Sequence, residues 1–275
     1  MTQTQIATHR FAGLAADFTG TDDHRPPLVL LHGLSFDRTM WRPALAELEQ
    51  IDPRRRVLAL DLPGHGESRD ARARDPEDVM RAVHAAITEA GLHAPVVVGH
   101  SMGAILATFY AASFACSGVV NVDQTLHVEP FLQVVHGLAD QLRGPDFATV
   151  WARFQASMHP ELLPPEAQEL VRTTSRPDQD LIVGYWSRAL DNPPSMMVSQ
   201  LATAISAIRA AAIPYTIIAG DQGDDTFRAW IAAFLPQATL TVWPACGHFP
   251  HLAQPAAFAR ILASQECSPN GSTPA

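Results

Sequence analysis

Val96-Val97-Val98-Gly99-His100-Ser101-Met102-Gly103 joins an apolar, β-branched run to a serine between two glycines, and Ala104 to Ala115 continue it as an apolar helical pattern. A strand that must become a helix within about one residue forces the residue at the turn into strained geometry. Gly99 and Gly103 keep side chains out of the crowded crossing. Ser101 then stands at a helix N-terminus, where the positive end of the dipole and unused N–H groups favour a developing negative oxygen. A serine presented in this way is a candidate nucleophile.

Other short apolar runs flank this one. Leu28 to Leu31 stops at His32-Gly33, Val57 to Leu60 at Asp61-Leu62-Pro63-Gly64, Val119 to Val122 at Asp123, Tyr215 to Ala219 at Gly220, and Leu240 to Trp243 at Pro244. Runs of four to six apolar residues ending in turn residues read as buried strands, and continuous rather than alternating apolarity suits a parallel sheet covered on both faces. Helical patterns alternate with them. Residues 76–90 put Val79, Val83, Ala86, Ile87 and Ala90 on one face, with Asp75 as cap, Pro76 in the first turn and Gly91 as stop. The expected fold class is α/β, a doubly wound, mostly parallel sheet.

The alternation breaks between residues 125 and 205. Amphipathic helix patterns appear there without strand candidates: Phe147, Val150, Trp151, Phe154 and Met158 share one face, and Leu181, Ile182, Tyr185 and Trp186 another. An insertion of about 80 residues is no ordinary loop. It reads as a helical lid over the carboxyl edge of the sheet. The expected organisation is a core in two parts, 1–124 and 206–266, the lid at 125–205, and a flexible tail at 267–275 that is rich in Ser, Pro, Gly and Asn.

Taken together, these motifs resemble the α/β-hydrolase fold family over nearly the whole chain apart from the lid. Gly99-His100-Ser101-Met102-Gly103 matches the family's nucleophile elbow. His32-Gly33-Leu34 stands where the family places its second oxyanion-hole element. Asp61 to Ser68 looks like the turn after the next strand, and Gly247-His248-Phe249-Pro250-His251-Leu252 like the segment that carries the catalytic histidine. The resemblance implies a serine hydrolase with Ser101 as nucleophile, His248 as base, and the backbone N–H groups of Leu34 and Met102 as oxyanion donors. His100 is adjacent to Ser101 and points away from it; His251 reads as a loop or helix-cap residue; His32 reads as structural. Asp123, at the end of Val119–Val122, is the preferred acid. Asp224 and Asp221, in the loop after Tyr215–Ala219, remain alternatives. Phe36, Phe131 and Trp186 are candidates for lining an apolar substrate pocket between lid and sheet.

Composition narrows the class. Hydrophobic residues make up 47% and charged residues 17%, enough apolar material for a large core. The net charge of −9, with all nineteen basic residues arginine, argues against a nucleic-acid binder. Arg54-Arg55-Arg56 reads as a solvated turn. Three scattered cysteines, Cys116, Cys246 and Cys267, build neither a disulfide framework nor a zinc site. The opening Met-Thr-Gln-Thr-Gln-Ile reads as no secretory signal, and no apolar run approaches the roughly 18 residues of a membrane helix. The expectation is a cytoplasmic enzyme that acts on a small, uncharged acyl substrate (an ester, thioester, lactone, or C–C bond beside a carbonyl) with no cofactor, metal, nucleic acid or membrane partner; the oligomeric state has no signature. A serine at the elbow argues against the aspartate-nucleophile branches of the fold. Two other functions fit the same residues. One is a cofactor-free dioxygenase of quinolone-type heterocycles, in which the histidine deprotonates the substrate. The other is a non-catalytic small-molecule receptor.

Overall fold

The computed structural model of the chain describes residues 8–220 and 225–265. Its strands are β1 (Thr8–Phe11), β2 (Leu14–Thr19), β3 (Leu28–Leu31), β4 (Val57–Leu60), β5 (Val96–His100), β6 (Gly118–Val122), β7 (Tyr215–Ala219) and β8 (Ala238–Val242). They form one eight-stranded sheet in the order β1-β2-β4-β3-β5-β6-β7-β8. Pairing is parallel from β4 through β8 and antiparallel where β1 and β2 are added at one edge. The doubly wound, mostly parallel sheet is present as expected. The edge pair β1–β2 is an addition. Thr8–Phe11 is short and largely exposed, and Leu14-Ala15-Ala16 is short of the β-branched residues that mark a strand. The last strand starts two residues earlier than expected, at Ala238.

Helices cover both faces. Those from the core are α1 (Arg42–Ile51), α2 (Pro76–Glu89) and α3 (Met102–Ser113). Between β6 and β7 come α4 (Glu129–Gly137), α5 (Ala139–Arg143), α6 (Phe147–Ala156), α7 (Pro165–Thr174), α8 (Gln179–Tyr185), α9 (Ser187–Asp191) and α10 (Pro194–Ala210). The chain continues with α11 (Asp225–Phe234), α12 (Pro250–Ala253) and α13 (Pro255–Ala263). No strand lies between β6 and β7, and α10 runs unbroken through residue 205. α2 begins where its sequence predicts: the Asp75 side chain accepts from the Glu77 N–H, and Pro76 occupies the first turn. No described helix is long and apolar enough to cross a membrane.

The register aligns the carboxyl ends of four neighbouring strands. Leu31 of β3 pairs with Gly99 of β5, His100 of β5 with Val122 of β6, and Val122 with Ile218 of β7. A crevice at these ends, beside the point where strand order reverses, is where sheets of this kind bind ligands. The crossing of α3 over the sheet is as tight as its glycines suggest. A Cβ on Gly103 would lie 2.2 Å from the Leu31 carbonyl oxygen, and one on Gly99 2.2 Å from the Gly103 carbonyl oxygen.

One expectation about a charged residue fails, and another is exceeded. Arg55 does not lie in a solvated turn. It is 2% exposed and its guanidinium donates to the Gln265 carbonyl, a contact 210 residues away in sequence that local composition cannot reveal. Asp61 is more than a turn residue. Its carboxylate accepts from the Arg38 guanidinium and from the backbone N–H groups of Arg38 and Glu67. Arg38 also pairs with Asp17 at 2.8 Å, and both are buried. This network pins the loop that carries Leu34 against the β4 turn. Arg38→Met leaves the buried Asp61 with backbone donors but no cation, and Asp17 with only the half-exposed Arg42 at 3.2 Å; removing one partner of a buried pair costs about 3–5 kcal/mol. A urea titration of that variant should show a loss of this size; an unchanged midpoint would mean that the network adds nothing to stability.

Candidate active site

Each functional side chain sits at a strand end or on a loop locked to one. Ser101 caps α3 with φ +53° and ψ −123°, a left-handed conformation that costs a non-glycine residue on the order of 1–3 kcal/mol. Neighbouring backbone holds it there: the Ser101 N–H donates to the Val122 carbonyl at 3.0 Å, and its own carbonyl accepts from Ala104 at 2.8 Å. Asp123 leaves β6 with φ +51° and is 2% exposed. Its N–H donates to the Ile218 carbonyl at 2.7 Å, and its Oδ1 accepts from the Gly220 N–H at 2.6 Å. With one oxygen fixed by backbone, the other is aimed at His248, whose Nδ1 lies 2.7 Å from Asp123 Oδ2. A carboxylate only accepts, so Nδ1 carries the proton and Nε2 is left as the basic nitrogen.

His248 follows β8 through a turn in which Gly247 has φ +53°. A Cβ on Gly247 would lie 2.6 Å from the His159 carbonyl oxygen, so only glycine fits between this turn and the segment at Met158–His159. The His248 N–H donates to the Met158 carbonyl at 2.9 Å, and His100 Nε2 lies 2.7 Å from the His248 carbonyl. The residue before the candidate nucleophile thus holds the backbone of the candidate base, a tie that adjacency in sequence does not suggest. No hydrogen bond joins Ser101 to His248 among the described residues; such contacts are commonly loose without substrate. The N–H groups of Leu34 and Met102 also have no protein acceptor among the described residues.

Ser101, Asp123, His248, Leu34, Met102, Phe36, Phe131 and Trp186 all line one cavity of about 640 Å³. Phe131 and Trp186 meet edge to face, with ring centroids 5.6 Å apart. Asp224 and Asp221 lie outside the described residues. Sequence reading missed Ile105 and Phe109 on α3 and Met197 on α10, which line the same cavity. Their periodicity marks a helix face but not what that face meets.

His251 is not a loop or cap residue. It is fully buried on α12 between Trp41 and Phe258, and neither ring nitrogen has a partner. Burial pushes its pKa down to about 3, and likewise lowers those of His32, His65 and His100. Hydrogen bonding agrees, because His32 Nε2 accepts from the Leu62 N–H and His65 Nε2 from the Ser35 N–H, so both need a bare nitrogen. In the unfolded chain these imidazoles take up protons below about pH 6.5. The unfolded state then binds more protons, so stability is full above that pH and falls as pH drops below it, by about 1.4 kcal/mol per unit for each group. Urea denaturation between about pH 7.5 and 5.5 should show this decline, steepening toward the acid end. Equal stability across that range would contradict four neutral buried imidazoles.

Comparison with known proteins adds three observations. The profile of the Alpha/beta hydrolase family matches residues 28–261. The 2-succinyl-6-hydroxy-2,4-cyclohexadiene-1-carboxylate synthase of Yersinia pseudotuberculosis is 29% identical over 261 residues, covering 90% of this chain and 91% of that protein. Among solved structures, the enol-lactonase from Burkholderia xenovorans LB400 aligns with a TM-score of 0.69 at 18% identity, covering 94% of this chain and 98% of the other, and a haloalkane dehalogenase variant from Bradyrhizobium elkanii with 0.68 at 19%, covering 94% of each. The two structures share the fold, and the profile match spans both parts of the sheet: this chain is an enzyme of the alpha/beta hydrolase family.

Proposed function

We propose that the protein is a serine hydrolase of uncharged acyl substrates, with Ser101 as nucleophile, His248 as general base and Asp123 as the acid that orients it. The observation that carries this reading is the 2.7 Å contact between His248 Nδ1 and Asp123 Oδ2 in a cavity that also holds the strained Ser101. In this reading Ser101 Oγ gives its proton to His248 Nε2 as it bonds to the acyl carbon. The carbonyl oxygen becomes negative in front of the Leu34 and Met102 N–H groups. His248 then passes the proton to the departing alcohol or thiol. Water repeats the sequence and releases the acid. The helices between β6 and β7 act as a lid that covers the acyl group while leaving water access to His248.

Cavity chemistry favours a substrate unlike the one that the name of the Yersinia relative describes. That relative's name describes a product with a ring carboxylate and a succinyl group. The arginine of this cavity, Arg188, is already held by Asp75 and Glu77, and the walls are dominated by Phe, Met, Leu and Trp. Among the described residues, a doubly anionic substrate would meet no cation free to pair with it there. The test is a panel of uncharged and carboxylate-bearing esters, lactones and thioesters. Hydrolysis favouring the uncharged members is expected; a preference for dianionic ones would overturn this part of the reading.

An acid placed after β6 also matches the cofactor-free dioxygenase reading, and the aromatic walls would hold a flat heterocycle. Oxygen consumption with quinolone-type compounds, in an enzyme inert toward every ester, would favour that alternative.

A further inference from the structure

Met102, Ile105, Leu106, Phe109 and Ser113 all line the cavity. Their spacing is one face of α3 from its first residue to its last. At about 1.5 Å per residue this stripe is roughly 16 Å long. The cavity is therefore a corridor that starts at the candidate nucleophile and follows the helix beneath it. Phe131 on α4, Ala189 on α9, and Met197 and Leu201 on α10 form its other wall. Ser113, at the end of the stripe, is exposed, as are Glu77 and Gln200 elsewhere in the lining, and the cavity adjoins a second one of about 250 Å³ with which it shares Arg188, Met197 and Gln200. Arg188 is paired there with Asp75 at 3.1 Å and with Glu77 at 3.0 Å. One cation between two carboxylates leaves this part of the lining net negative, which disfavours an anionic substrate. The opposite end of the cavity, beside Gly247 and His248, reaches Ser157 and His159, which are also exposed.

The two arms of an ester are assigned by chemistry. The acyl oxygen belongs with the Met102 N–H, at the start of α3. The leaving oxygen must receive its proton from His248, on the side of Ser157 and His159. The acyl chain then lies along α3 and the alcohol toward the other mouth. With a C–C bond of about 1.5 Å, an extended chain advances roughly 1.3 Å per bond, so about twelve carbons span the stripe. Building on the serine hydrolase reading above, we infer that the substrate is an ester or thioester of a straight, uncharged acyl chain of about ten to twelve carbons, lying along α3 from Ser101 to Ser113.

Two series of p-nitrophenyl and alkyl esters test this, one lengthening the acyl chain from acetyl to hexadecanoyl with the alcohol fixed, the other lengthening the alcohol with the acyl group fixed. The expected result is that kcat/KM rises about fourfold per acyl methylene, the scale of burying one such group, and levels off near twelve carbons because longer tails emerge at the open mouth. The alcohol series should be much flatter. Phe109→Trp and, separately, Met197→Trp narrow the corridor and should lower the ratio of dodecanoyl to butanoyl turnover by at least about tenfold. A ratio compares two substrates on one protein sample, so partial misfolding does not mimic the effect. Turnover independent of acyl length, or a rise confined to the alcohol series, would overturn the corridor while leaving the hydrolase reading intact. Failure of every ester, together with an unreactive Ser101 toward a fluorophosphonate, would overturn both.

Discussion

Ser101→Ala is expected to lower kcat on the order of 10⁶-fold, the loss typical when a triad nucleophile is removed. The backbone at this position is held by hydrogen bonds from β6 and α3 rather than by the hydroxyl. Alanine should therefore fold as serine does and keep the cavity, including the Leu34 and Met102 N–H groups. What disappears is the one oxygen able to bond the acyl carbon at the helix terminus. The measurement is single-substrate turnover of a folded variant, with folding checked by circular dichroism. Near-native turnover would remove Ser101 from the mechanism and leave the elbow as a structural turn.

The second large effect is expected at Asp123. Asn can keep its oxygen on the Gly220 N–H and then turns its NH₂ toward His248. An amide donor there demands that Nδ1 accept, which places the imidazole proton on Nε2, where Ser101 needs a base. This wrong-tautomer penalty reaches ~10⁴ in kcat in the best-studied triad. Asp123→Asn should lose at least about 10²-fold, and Asp224→Asn or Asp221→Asn less than about tenfold. A site on a strand end is held closely, and the two backbone hydrogen bonds on Asp123 are that constraint in atomic terms. The reverse ranking would move the acid to Asp224 or Asp221.

What was legible in the sequence follows the range of the forces involved. The apolar runs at Leu28, Val57, Val96 and Tyr215 mark strands because burial on both faces is written into consecutive residues. Ser101 and its glycines were legible because a strand-to-helix turn constrains a few adjacent positions. Asp123 and His248 are 125 residues apart, and only chain order and chemistry linked them before the geometry brought them together. Features that depend on distant packing were not legible. Arg55 is buried by the far end of the chain, and His251 by Trp41 and Phe258 around a four-residue helix. The corridor exists only because α4, α9 and α10 fold back over α3, and no local pattern encodes how helices of an insertion meet a face they do not adjoin in sequence.

The most direct test of the central claim is the mass of the peptide that contains residue 101 after treatment with a fluorophosphonate probe. A single adduct on Ser101, formed in step with loss of turnover and much slower to form in His248→Ala and Asp123→Asn, is the predicted result. Esterase activity that survives with Ser101 fully modified, or a labelled residue elsewhere accounting for all of the inhibition, would contradict it.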